Sequence, residues 1–189
     1  MAEFSFGGWD RYGPIRRADR YVIAYGSNLD LERMESRCPD CEVAGMSVMP
    51  GFRLLFKKSM TGFYATIEQD ANCSVPVVIY KVTAEDEAML DRYEGCPRFY
   101  YKRQFLLPIR RLNGKRMKER KCCAAYIMHE YRELGAPGFD YYHLLDSGYD
   151  SWAFDKAILH KALADSMGTK KAEKFLKQYG SARRRFPSD

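Results

Sequence analysis

The sequence of 189 residues predicts an α+β fold, with helices set around a small, mixed and largely antiparallel β-barrel or sheet. Three observations carry that expectation. Extended apolar runs come mainly as neighbouring pairs, as hairpins do. Helix signals fall between these pairs rather than after every strand. Hydrophobic residues make up 46% and aromatics 14%, a composition that supports one packed core rather than a disordered chain.

The first 20 residues, rich in Gly, Arg and aromatics, read as an N-terminal arm (1–20) ahead of a folded domain (21–168). "YVIAYG" at 21–26 is a short apolar strand. "NLDLERMESR" at 28–37 follows as a helix, with Leu31 and Met34 on one face and acidic residues in the first turn. "GMSVMPGFRLLFKKS" at 45–59 suggests two extended pieces broken at Pro50–Gly51, and "FYATIEQ" with "VPVVIYKV" reads as a strand pair across a "DANCS" turn. "TAEDEAMLDRYEG" at 83–95 is a helix with a capping-box start at Thr83 and Asp86 and a stop at Gly95. Two more strands, "YYKRQFLLPIRRL" and "KCCAAYIMHEY", flank a basic "NGKR" turn. "DYYHLLDSGY" at 140–149 starts a helix that Gly148 can end. A further helical stretch carries Trp152, Ile158 and Leu159, and residues 169–189 form a charged C-terminal helix and basic tail.

Charge and cysteine usage narrow the function classes. The net charge of +6 is concentrated at 110–121 and 170–185, each with seven basic residues and one acidic. The remainder is net negative, so the basicity belongs to a turn and a tail, and nucleic acid is not expected as a partner. No apolar run approaches the roughly 18–20 residues of a membrane helix, and the N-terminus lacks a secretory apolar segment; a cytoplasmic protein is the expectation. Six cysteines without such a segment are expected as thiols. "CPDC" at 38–41 has no second CxxC, and "HEYRE" at 129–133 lacks a second His, so no metal is expected.

Two places carry potential chemistry. Gly26-Ser27-Asn28-Leu29 joins a strand to a helix and exposes backbone N–H groups suited to a carboxylate or developing oxyanion. It lacks the spacing of a phosphate loop or nucleophile elbow, and the plain alternative is a capping turn. Glu94 sits in a last helical turn, where the helix dipole and any burial between Tyr93 and Phe99 would both disfavour its ionised form. That would tune it for proton transfer; the plain alternative is a solvated Glu. Cys96, beside Glu94, has no histidine near it in sequence to activate it.

"AYGSNL", "ATIEQ", "VPVVIYKV" and "LDRYEGCPRFYYKR", followed by "AYIM" and "PGFDYYHLLDSGY", together resemble the γ-glutamylcyclotransferase (AIG2-like) family from about Tyr21 to about Tyr149. The resemblance implies a small mixed β-barrel with surrounding helices. It implies a substrate-binding loop of Tyr25, Gly26, Ser27, Asn28 and Leu29, led into by Val22, Ile23 and Ala24, and Glu94 as the catalytic acid/base. Tyr101, with Tyr100 as second choice, and Tyr141 or Tyr142 would line the pocket. Gly138 stands where relatives often carry Ser, which leaves that last choice open.

The implied reaction is intramolecular aminolysis of a γ-glutamyl amino acid or amine, giving 5-oxoproline and the free amine. The substrate brings its own nucleophile, so no cofactor is called for. "YGSNL" resembles the γ-glutamyl amino acid branch and "EGCPRFYYKR" the γ-glutamylamine branch. The alternative is a non-catalytic binding module of the same fold that holds an anionic small molecule or nucleic acid. A homodimer is left open.

Overall fold

The computed structural model describes residues 19–183. The arm expected over 1–20, apart from its last two residues, and the end of the basic tail lie outside the described residues. Five strands run β1 (Arg20–Ala24), β2 (Glu42–Lys58), β3 (Phe63–Val82), β4 (Tyr100–Leu107) and β5 (Lys121–Met128). They form one sheet in the order β2-β3-β1-β5-β4. Every neighbouring pair is antiparallel except β1 with β5. The sheet is mixed and largely antiparallel as expected, but it is open rather than a closed barrel: β2 and β4 are its edges.

The long β2–β3 hairpin corrects the expected "DANCS" turn. The chain reverses between Lys58 and Phe63, where the Ser59 N–H donates to the Gly62 carbonyl (2.7 Å), and β3 then runs unbroken through 70–74. Registers Pro50↔Ser74 and Phe52↔Gln69 place the kink at Gly51 opposite a bulge at 70–73. The two pieces expected on either side of Pro50–Gly51 are one continuous strand, β2, that kinks at Gly51; the polar "DANC" stretch is the bulge opposite it, not a reversal. The Lys57 ammonium is buried in this hairpin, paired with Glu68 and donating to the Glu130 carbonyl (2.8 Å), which holds the chain beyond β5 in place.

Five helices surround the sheet among the described residues: α1 (Leu31–Arg37), α2 (Ala84–Tyr93), α3 (Phe139–Ser151), α4 (Ala157–Met167) and α5 (Thr169–Ala182). The start of α2 is a reciprocal capping box: the Asp86 N–H donates to Thr83 Oγ1 and the Thr83 N–H to Asp86 Oδ2, both at 3.0 Å. At its end Gly95 takes φ +62°, and a Cβ there would lie 2.7 Å from the Phe99 ring, so only glycine fits the exit. Gly148 does not end α3. It lies inside that helix, where the absent side chain lets the helix close on Leu29. Trp152, expected within the next helical stretch, instead caps α3, and its Nε1–H donates to the Leu29 carbonyl (2.7 Å). Phe175 and Tyr179 of the charged α5 pack edge-on against Tyr142, with ring centroids 5.2 and 4.9 Å away. No described helix is long and apolar enough to cross a membrane.

Candidate functional site

β1 is apolar and buried along its length from Tyr21, and it stops at Ala24. Beyond it the two strands that flank it, β3 and β5, are joined by the Met128 N–H donating to Thr66 Oγ1 (2.9 Å). The chain itself turns away at Gly26 into a single 3-10 turn, Ser27–Leu29. Helix α1 begins only afterwards, with the Asp30 side chain accepting from the Arg33 N–H (2.8 Å). The helix expected over 28–37 therefore starts only at Leu31, with Asp30 as its N-cap. In the 3-10 turn the Leu29 and Asp30 N–H groups bond back to Gly26 and Ser27. This leaves the Ser27 and Asn28 N–H groups without a backbone acceptor among the described residues.

The space where β1 stops is an inner cavity of about 40 Å³, lined by the chain from Ile23 to Asn28, by Ala65, Glu94, Tyr100 and Tyr126, and by Tyr141. It shares Ser27, Glu94, Tyr100 and Tyr141 with an outer groove of about 550 Å³. Gly26 forms the floor: a Cβ on it would lie 3.3 Å from Ala65 Cβ and 3.4 Å from the Tyr141 hydroxyl, inside the cavity.

Glu94, the C-cap of α2, is the one acidic residue on this inner lining among the described residues. Burial pushes its carboxyl up to about 6; the Arg37 charge and a hydrogen bond from Asn28 pull the other way without reversing it. The Asn28 Nδ2–H faces Glu94 Oε1 at 3.5 Å. Asn28 is oriented in turn by Arg37, which donates to its Oδ1 and to Ser27 Oγ (3.1 Å) while lying over the Tyr93 ring, 3.7 Å from the centroid. Four tyrosines line the cavity, and burial raises the pKa of each, so they remain neutral. The Tyr25 hydroxyl donates to the Tyr126 carbonyl, and the Tyr100 hydroxyl to the Ala65 carbonyl (3.3 Å). The Tyr141 hydroxyl accepts from the Ala65 N–H (3.1 Å), and its own proton has no acceptor among the described residues.

The residues singled out from sequence divide cleanly. Ile23, Ala24, Tyr25, Gly26, Ser27, Asn28, Glu94 and Tyr141 meet at the inner cavity. Val22 and Leu29 are buried in the core and do not line it. Tyr101 is turned to the opposite face of the sheet, where its hydroxyl donates to Glu130 (2.6 Å); its neighbour Tyr100 takes the cavity position because successive strand residues face opposite ways. Tyr142 is fully buried among the helices, so the cavity tyrosine of that pair is Tyr141. Cys96 lies off the cavity, and burial raises its thiol pKa, which opposes a nucleophilic role. Among the described residues no three His, Cys, Asp or Glu side chains gather as a metal site requires. Arg37 was missed from sequence; the only signal was a basic residue in the last turn of α1.

These features define an α+β protein with one half-buried carboxylate set beside free backbone amides in a cleft. The chain belongs to the γ-glutamyl cyclotransferase, AIG2-like, family, whose model matches residues 22–147. Among solved structures, a γ-glutamyl cyclotransferase is similar at 23% identity and TM-score 0.64, covering 85% of this chain and 99% of that one. An uncharacterized human protein is similar at 23% identity and TM-score 0.62, covering 84% and 98%. A yeast γ-glutamyl cyclotransferase specific to glutathione is similar at 11% identity and TM-score 0.55, covering 85% and 96%. At these identities the likeness is one of fold. No curated protein sequence matches the chain.

Proposed function

We propose that the protein is a γ-glutamylcyclotransferase-type enzyme that closes the γ-glutamyl group of a small substrate to 5-oxoproline and releases the attached amine. The observation that carries this reading is the position of Glu94: a carboxyl held at about 6 by burial, in the same cavity as the unbonded Ser27 and Asn28 amides. The nucleophile is the substrate's own α-amine, which must shed a proton to attack. A carboxylate near neutral pKa accepts it and returns it to the departing nitrogen, a role worth about 10²–10⁴-fold in rate. In the addition step the C–N bond of the five-membered ring forms and the γ-carbonyl oxygen gains charge. In the collapse step the original amide C–N bond breaks and the leaving nitrogen takes the proton from Glu94. The Tyr141 proton and the two free amides are the donors available to that oxygen or to the substrate carboxylate. A bent substrate held with amine over carbonyl gains further from proximity.

The test is to incubate the protein with γ-glutamyl-alanine and γ-glutamyl-lysine, assay 5-oxoproline, and repeat with Glu94→Gln. Product from the wild type and none from the folded variant supports the reading. No product from either substrate with the wild type turns the assignment to a binding module.

A further inference from the structure

Whatever remains attached to the γ-carbonyl must leave the inner cavity through the outer groove, because the two share Ser27, Glu94, Tyr100 and Tyr141. The walls of that groove therefore meet the leaving group. Two arginines stand on them, Arg33 from α1 and Arg92 from α2. Among the described residues Glu94 is the only acidic one on the same lining, and it faces Asn28.

Neither guanidinium has a carboxylate, hydrogen-bond acceptor or aromatic face as partner among the described residues. On α2 itself, two acids are engaged away from the groove. Glu87 pairs with Arg20 and Lys102, and Asp91 pairs with Lys102 (2.9 Å) and accepts from the Tyr126 hydroxyl (2.6 Å). Arg33 lies one helical turn before Arg37, on the same side of α1, so the pair runs outward from the 3-10 turn: Arg37 holds the loop and Arg33 faces the groove. Met60 and Phe99 give the groove apolar wall, and the Thr61 hydroxyl is bonded to Tyr64 (2.6 Å). The groove thus offers positive charge and apolar surface, with no second anion on its lining among the described residues to receive an ammonium.

We propose that Arg33 and Arg92 form a carboxylate subsite for the departing half of the substrate, so that this chain selects γ-glutamyl compounds whose leaving amine bears an anionic group. This rests on the γ-glutamylcyclotransferase reading and makes it specific: amino acids and peptides are released in preference to neutral or cationic amines. A guanidinium binds a carboxylate through paired, charge-assisted hydrogen bonds, and repels an ammonium placed at the same point.

The experiment compares kcat/KM for γ-glutamyl-alanine, γ-glutamyl-ethylamide and γ-glutamyl-putrescine by 5-oxoproline release, in the full chain and in two double variants. The wild type is expected to favour the three in that order. Arg33→Gln with Arg92→Gln lowers the alanine-to-ethylamide ratio about tenfold, chiefly through the KM for γ-glutamyl-alanine, since the contact is made in ground and transition states alike. Arg33→Glu with Arg92→Glu raises kcat/KM for γ-glutamyl-putrescine above the wild-type value, a gain that a misfolded protein cannot imitate. Equal wild-type rates on alanine and ethylamide compounds, or a charge-reversed variant with unchanged ranking, overturn the subsite while leaving the cyclotransferase reading intact. Absence of 5-oxoproline from all three substrates overturns the cyclotransferase reading itself, and the subsite with it.

Discussion

Replacing Glu94 by Gln should abolish turnover and at the same time make the protein more stable at neutral pH. The structure gives the size of the second effect. An ordinary Glu carboxyl titrates at 4.5, and burial in the cavity lifts Glu94 to about 6. At about 1.4 kcal/mol per pKa unit, the ionised side chain costs the folded protein about 2 kcal/mol. The sign follows from the direction. The folded pKa is raised, so the favourable contribution of the protonated form is fully present below about pH 4.5 and is lost as the pH climbs through about 6. Gln is neutral throughout and keeps an oxygen toward Asn28. Urea unfolding of both proteins at pH 4 and at pH 7.5 separates the possibilities. At pH 4 the midpoints should coincide. At pH 7.5 the variant should unfold about 1 M later, given typical urea slopes of about 2 kcal/mol per molar. A midpoint difference that is the same at both pH values, or a wild type more resistant at pH 7.5, would refute the claim that burial sets the ionisation of Glu94.

Three further outcomes are expected. Arg37→Gln removes the positive charge that partly offsets the burial of Glu94, so its carboxyl rises further and the acid limb of the kcat–pH profile moves to higher pH; a limb that stays in place contradicts the geometry. Tyr141→Phe should lower kcat about 10²-fold by removing a donor from the cavity, whereas Tyr142→Phe, which deletes a buried hydroxyl with no partner among the described residues, should leave activity intact and stability equal or higher. Gly148→Ala puts a Cβ 3.0 Å from Leu29 Cβ and must push the 3-10 turn; a stability loss of about 1–3 kcal/mol by thermal unfolding should come with reduced turnover.

What could be read in the sequence was whatever is encoded over a few residues. The capping box at Thr83 and Asp86, and the glycine that ends α2, are local chemistry and fall where the pattern put them. The Gly26–Asn28 turn and Glu94 were marked for the same reason, each being out of place within its own element. Tyr100 and Tyr101 could not be separated, because a strand's sequence gives its alternation but not which phase faces the cavity; that is fixed by pairing with β5, Tyr100 opposite Met128. The open sheet was hidden likewise, since nothing local says whether β2 and β4 meet. The role of Arg37 depends on α1 folding back over the turn that precedes it, a tertiary event with no local signature.

Ala65 has an inert side chain, yet its one peptide N–H and one carbonyl reach Tyr141 of α3 and Tyr100 of β4 respectively. The hairpin thus acts as a common mooring for two hydroxyls that arrive from distant parts of the chain. A small slide of β3 would carry both rings in the same sense, keeping the spacing between them while altering their height above Gly26. Tuning of this pocket over evolutionary time can therefore come from changes along the hairpin, far from any group that touches a ligand.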